Sequence, residues 1–159
     1  MRLQPWYRAT FTTPESWAVK LPGPVGDEGQ SFLIVEGRCS GAVSGRLRAA
    51  NYPRRRVDGV LLPDFRGAID TADGATVLFS WNGYTRSGSS GVRELVGAIT
   101  HLSDDPRYQW LNQELGVLTG EVRPRADGTG FDVVLDVAQL VWQASAATGL
   151  PDDTDADPR

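Results

Sequence analysis

Two short stretches of the 159-residue chain carry side chains able to act together on a small molecule. Asp64-Phe65-Arg66 sets a carboxylate and a guanidinium two residues apart, and Tyr108-Gln109-Trp110-Leu111-Asn112 sets two aromatics and an amide at every second position. In an extended strand this spacing sends alternate side chains to one face. On such a face a guanidinium binds a carboxylate, an enolate or a polarised carbonyl oxygen. An aspartate beside it orients it or accepts a proton, and an asparagine donates to a ligand oxygen. Asp64 and Arg66 are the candidate catalytic pair; Phe79, Trp81, Tyr108, Trp110 and Asn112 are the candidate ligand-binding set.

Phe79 and Trp81 enter through a hairpin. Asp73-Gly74 is a strong two-residue turn signal, because glycine takes the positive φ that tight hairpin turns require. With those two residues as the turn, Ala72 faces Ala75, Ala68 faces Phe79, Arg66 faces Trp81 and Asp64 faces Gly83. One face then holds Asp64, Arg66, Phe79 and Trp81. Two readings of it stay open. Facing solvent, Arg66 lies over Trp81 for a cation–π gain of about 0.5–1 kcal/mol. Facing inward, the two charges must be satisfied by one another or by a ligand. Asn112 likewise either ties down a loop or neighbouring backbone, or faces a ligand.

The elements that must position these residues are short. Eighteen glycines and ten prolines punctuate the chain, and no segment shows a 3.6-residue apolar stripe over three turns. Strand-like runs occupy 6–13, 16–21, 31–39, 41–50, 57–71, 75–84, 108–113, 115–124 and 130–143, while 92–102 suits a strand or a short helix. About eight to ten short strands with at most one or two short helices predict an all-β domain, sandwich or barrel. The long last strand, apolar on both faces, favours a single antiparallel β-barrel. Residues 1–150 form that domain, and the acidic 151–159 a solvated, dispensable tail.

Composition excludes several classes. A net charge of −4 with one basic cluster, Arg54-Arg55-Arg56, argues against a nucleic-acid partner. No apolar run approaches the roughly 18 residues of a membrane helix, and the N-terminus lacks the apolar core of a signal peptide, so no membrane partner and a cytoplasmic location are expected. Cys39 and His101 are the only residues of their types, which leaves no intrachain disulfide and no thiolate zinc site. No metal and no cofactor are expected.

The succession "VDGVLLPDFRGAIDTADGATV", then "PRYQWLN" and "GVLTGEV", resembles the bacterial family of domain-of-unknown-function 3237 across roughly residues 31–142. The similarity rests on Asp58-Gly59, Asp64-Phe65-Arg66, Thr71-Ala72-Asp73-Gly74-Ala75 and the Tyr-x-Trp-Leu-Asn element at 108–112. The chain departs from the family in "NYPRRR", where a glycine-rich turn is usual, and in "AITHLSDDP". The resemblance implies a small lipocalin-like barrel with no assigned activity.

An eight-stranded barrel is just wide enough to be filled by its own side chains or to hold one small ligand. Three functions follow. The first is small-molecule binding in an aromatic-walled cavity with Asp64, Arg66 and Asn112 as its polar groups. The second is a cofactor-independent isomerase or cyclase using that cavity. The third is a homo-oligomeric interaction protein, such as a homodimer joined through an outer sheet face, with the barrel filled.

Overall fold

The computed structural model describes residues 2–88 and 91–143. The expected tail at 151–159 and the domain end at 150 lie outside them. Ten strands form in chain order: β1 (Arg2–Leu21), β2 (Glu28–Gly41), β3 (Gly45–Asn51), β4 (Arg54–Arg55), β5 (Leu61–Leu62), β6 (Asp64–Thr71), β7 (Thr76–Ser87), β8 (Arg93–Leu102), β9 (Gly116–Pro124) and β10 (Phe131–Val141). A single 3-10 turn, Gln109–Gln113, is the only helical element among the described residues.

All strand pairs are antiparallel, and eight strands close a ring in the order β1, β2, β3, β6, β7, β8, β9, β10 and back to β1. The fold is the antiparallel barrel expected from the strand spacing. Period-two alternation builds it: Val133, Leu135 and Val137 of β10 point inward, as do Leu95 and Ile99 of β8 and Val77, Phe79 and Trp81 of β7. The segment 92–102 is a strand, since its inward residues recur every second position rather than every third or fourth.

Three features of the sheet differ from expectation. The runs 6–13 and 16–21 are one continuous strand, β1. Its register on β2 shifts between Thr12 and Glu15. The bulge accommodates Pro14, which has no N–H for the ladder, and exchanges the faces of the residues beyond it. The β3–β6 connection also continues the wall: β4 and β5 pair with each other, with β2 and with β7, beyond the interruptions at Pro53 and Pro63.

The third difference is the β6–β7 register. The turn is one residue longer than Asp73-Gly74 alone suggests. Thr71 N–H donates to the Ala75 carbonyl and Gly74 N–H to the Thr71 carbonyl, with Gly74 at φ 88°. This is the three-residue hairpin loop in which glycine takes the left-handed position. Phe65 therefore faces Trp81, Gly67 faces Phe79 and Arg66 faces Ser80. A slip of one residue sends every side chain of β6 to the other face. Gly67 is needed there, because a Cβ would stand 2.7 Å from Cζ of Phe79.

The segment 103–115 closes one end of the barrel, here called the base. Leu111 is fully buried and Tyr108 is buried beside it. Replacing Leu111 with alanine is expected to cost about 2–5 kcal/mol, the range for emptying a buried leucine site. Urea denaturation at neutral pH measures it.

Candidate functional site

The register places the candidate catalytic pair outside the barrel. The Arg66 side chain is 79% exposed and lies 3.7 Å from the Asp64 carboxylate, whose side chain is half exposed. The inward reading of that face is corrected: β6 presents Phe65, Gly67 and Ile69 to the interior, and Asp64, Arg66 and Ala68 to the exterior. Arg66 instead borders a shallow outer groove of about 790 Å³, floored by Ala50, Gly67 and Ala68 and flanked by Arg48, Leu78 and Leu102. The groove is wide open to solvent, so it desolvates a small molecule poorly.

Phe79 and Trp81 do point inward, as filling. Trp81 stacks on Phe65 with ring centroids 4.1 Å apart and planes 13° from parallel. The space left between them and Tyr7, Phe11, Leu47 and Ile99 is about 10 Å³. That is at the threshold for one water, roughly 10–15 Å³, and its lining is apolar apart from the Tyr7 hydroxyl. Among the described residues, the barrel centre keeps no aromatic-walled cavity of ligand size.

Trp110 and Asn112 stand on the 3-10 turn rather than on a strand, and Tyr108 is the N-cap of that turn. The sequence "SDDPRY" carried the signal, with an aspartate followed by a proline as in a type I turn. Asp105 accepts the Arg107 N–H at 3.0 Å, and its carbonyl accepts the Tyr108 N–H at 2.9 Å. Arg107 also holds the Asp105 carboxyl down to about 2 through its side-chain hydrogen bond. Asn112 caps the Ser103 backbone from both sides: its Oδ1 accepts the N–H and its Nδ2 donates to the carbonyl, each at 2.8 Å. Trp110 is partly exposed and meets Trp6 edge to face at 5.4 Å. The Tyr108 hydroxyl donates to Asp73, which also receives the Thr71 hydroxyl at 2.6 Å and pairs with Arg107 at 3.0 Å. Thr71 foremost holds the Asp73 carboxyl below its ordinary value. These residues lock the base.

A second polar group lies buried beneath that lock. The Tyr7 hydroxyl and His101 Nε2 share a hydrogen bond of 2.7 Å, while His101 Nδ1 has no partner. Trp6 and Tyr7 pack edge to face on the imidazole at 5.6 and 5.7 Å. Burial pushes His101 down to about 4, the Tyr7 hydroxyl well up, and the Cys39 thiol up to about 12. The thiol is protonated at neutral pH and is no nucleophile.

The opposite end, the mouth, holds a partly enclosed space among the described residues. A cavity of about 100 Å³ is floored by Phe11, Phe65, Leu95 and Val133 and walled by Leu33, Leu61 and Phe131. Its polar lining is Thr13, Asn51, Thr85 and Arg93, with no carboxylate. Asn51 Oδ1 accepts the Asp64 N–H at 3.1 Å where Pro63 interrupts the strand. Among the described residues, the Asn51 Nδ2, the Thr85 hydroxyl and the Arg93 guanidinium make no side-chain hydrogen bond or ion pair to protein. Arg93 lies over the Phe131 ring at 5.8 Å. Sequence reading passed over all four, since they stand singly on four different segments.

No family model matches the chain, and no curated protein matches it. Solved structures do. A protein of unknown function from Clostridium acetobutylicum is similar over 89% of this chain and 100% of that one, with a TM-score of 0.75 and 19% identity. A β-barrel-like protein from Acinetobacter baumannii covers 87% and 94%, with a TM-score of 0.71 and 18% identity. An enzyme from Penicillium herquei covers 86% and 93%, with a TM-score of 0.61 and 17% identity. These likenesses show that the chain has the fold of this group of barrels.

Arg66→Met is expected to change stability by no more than about 0.5 kcal/mol, as for exposed positions without a committed partner. For His101 the folded value near 4 lies below the ordinary 6.5, so the unfolded chain binds more protons between those values. Stability should therefore rise with pH across that window and be fully present above it, the loss at the acid end reaching roughly 3 kcal/mol. His101→Gln keeps a partner for the Tyr7 hydroxyl without titrating. Urea midpoints at pH 4.5 and pH 7 should differ less in that variant than in the parent.

Proposed function

We propose that the chain binds a small organic carboxylate at the barrel mouth, its apolar group in the cavity and its acid on Arg93. The observation that carries this is the character of the lining: an apolar floor, one guanidinium, two further uncommitted donors in Asn51 and Thr85, and no carboxylate among fourteen lining residues. A site of that kind fits an anion that accepts hydrogen bonds. The cavity is smaller than one of about 150 Å³ known to enclose benzene, so a branched alkyl group or a partly inserted ring is the buried part.

The Thr-x-Asp-Gly-Ala and Tyr-x-Trp-Leu-Asn elements support membership of the domain-of-unknown-function 3237 family, and the β-barrel neighbours support a binding barrel in general terms. An isomerase or cyclase has weaker support. Its acid–base pair, Asp64 and Arg66, lies outside the barrel, and the mouth lining holds no carboxylate, histidine or cysteine. A homo-oligomeric interaction protein is favoured by one specific observation, the filled barrel centre.

The test is titration of the protein with isovalerate and benzoate, followed by NMR shifts, against their neutral amides. The carboxylates should bind about tenfold or more tightly than the amides, and Arg93→Met should erase the difference, as expected for a charge-assisted contact of about 1.5–3 kcal/mol. Amides binding as well as acids, or acids binding Arg93→Met unchanged, would remove Arg93 from the site.

A further inference from the structure

Beyond the bulge, the outer end of β1 is an open sheet edge. Its ladder with β10 ends at Thr12, while its ladder with β2 continues to Leu21 paired with Glu28. From Glu15 to Leu21 one side of β1 thus has no strand beside it among the described residues. Backbone donors and acceptors along such an edge are satisfied by water or by another extended strand.

The outer side chains on this edge from Trp17 onward are apolar rather than charged. Trp17, Val19 and Leu21 share the outer face and are 54%, 64% and 61% exposed. Phe32 of β2 extends the patch, its ring 5.7 Å from that of Trp17. Pro14 lies below the open segment, and Lys20, the one charge between Trp17 and Leu21, stands on the opposite face from them.

We propose that this edge pairs antiparallel with the same edge of a second copy, across a two-fold axis at Val19. The chain is self-complementary about that residue. A two-fold axis normal to the sheet keeps outer side chains opposite outer side chains, and centring it on Val19 sets Trp17 opposite Leu21 of the second copy and Val19 opposite its own mate. Every outer pair is then apolar. Centring on Ala18 sets Leu21 opposite Glu15, and centring on Trp17 sets Val19 opposite Glu15; each spends an apolar residue on a charge. The interface is isologous, the same patch meeting itself, as in most two-subunit assemblies. A strand from an unrelated protein would satisfy the backbone but has no reason to match this apolar sequence. The proposal does not depend on the mouth site.

The experiment is sedimentation of the full chain at tens of micromolar, with three variants checked for native fold by circular dichroism. The parent should sediment at about twice the chain mass of 17.2 kDa, and Val19→Lys, which sets two like charges on the axis, at the single mass. Val19→Cys should form an interchain disulfide on mild oxidation, because directly opposed residues of antiparallel strands have Cα atoms about 4.5–5.5 Å apart, within disulfide range. Trp17→Cys, opposed to Leu21, should cross-link far less; the native Cys39 is buried and adds little background. A parent that stays monomeric overturns the proposal. A dimer that survives Val19→Lys, or that cross-links equally well through Trp17→Cys, places the contact elsewhere and also overturns it.

Discussion

The length of one turn decides which half of the side chains fills this barrel. The loop from Thr71 to Ala75 is closed at both ends by hydrogen bonds, with Gly74 in the left-handed region that other residues enter only at a cost. The count of residues in it sets the register of β6 on β7. With this count, Phe65 stacks on Trp81 in the interior and Arg66 is left in water. One residue fewer would turn Asp64, Arg66 and Asp70 inward and expose Phe65 and Ile69. Charge burial without a partner costs several kcal/mol per ion, so the sequence of β6 tolerates one register and no other.

The same turn anchors the base. Asp73 at its tip gathers Thr71 from its own hairpin, and Tyr108 and Arg107 from the segment that closes the barrel. Asn112 then pins that segment to the end of β8 through Ser103. The two elements that carry the family resemblance, Thr-x-Asp-Gly-Ala and Tyr-x-Trp-Leu-Asn, thus meet in space and do so as structure. Their residues are committed to one another, which leaves little hydrogen-bonding capacity for a ligand. At the other end, among the described residues, the Asn51 Nδ2, the Thr85 hydroxyl and the Arg93 guanidinium are uncommitted.

How much of this was legible in the sequence follows from the range of each signal. Strand existence depends on alternation within a few residues, and the barrel class was readable from it. The β6–β7 register depends on whether two or three residues form a loop, and Asp-Gly serves both; the extra Thr71 contact to Ala75 became visible only with the fold. For 108–112, alternation of large residues imitated a strand, while the Asp-Pro turn signal just upstream pointed to the structure that forms. The mouth was not legible at all. Its polar residues are single members of four separate segments, brought together by ring closure.

Committed and uncommitted polar groups are divided between the ends of the molecule for a physical reason. A ring of eight strands encloses a space that inward side chains can fill, and Phe65, Phe79 and Trp81 do so, leaving about 10 Å³. Once the middle is filled, space inside the ring is left only where the ring opens. There the wall is uneven: β1, β2, β4 and β5 run past the level at which β9 and β10 end. The uneven rim has two consequences from one cause. It leaves Arg93 and Asn51 on the border of a cavity sheltered on one side only, and it leaves the outermost part of β1 without a neighbour. The extended wall would be needed for the cavity's shelter, and its unpaired edge is the structural cost that a second strand could offset.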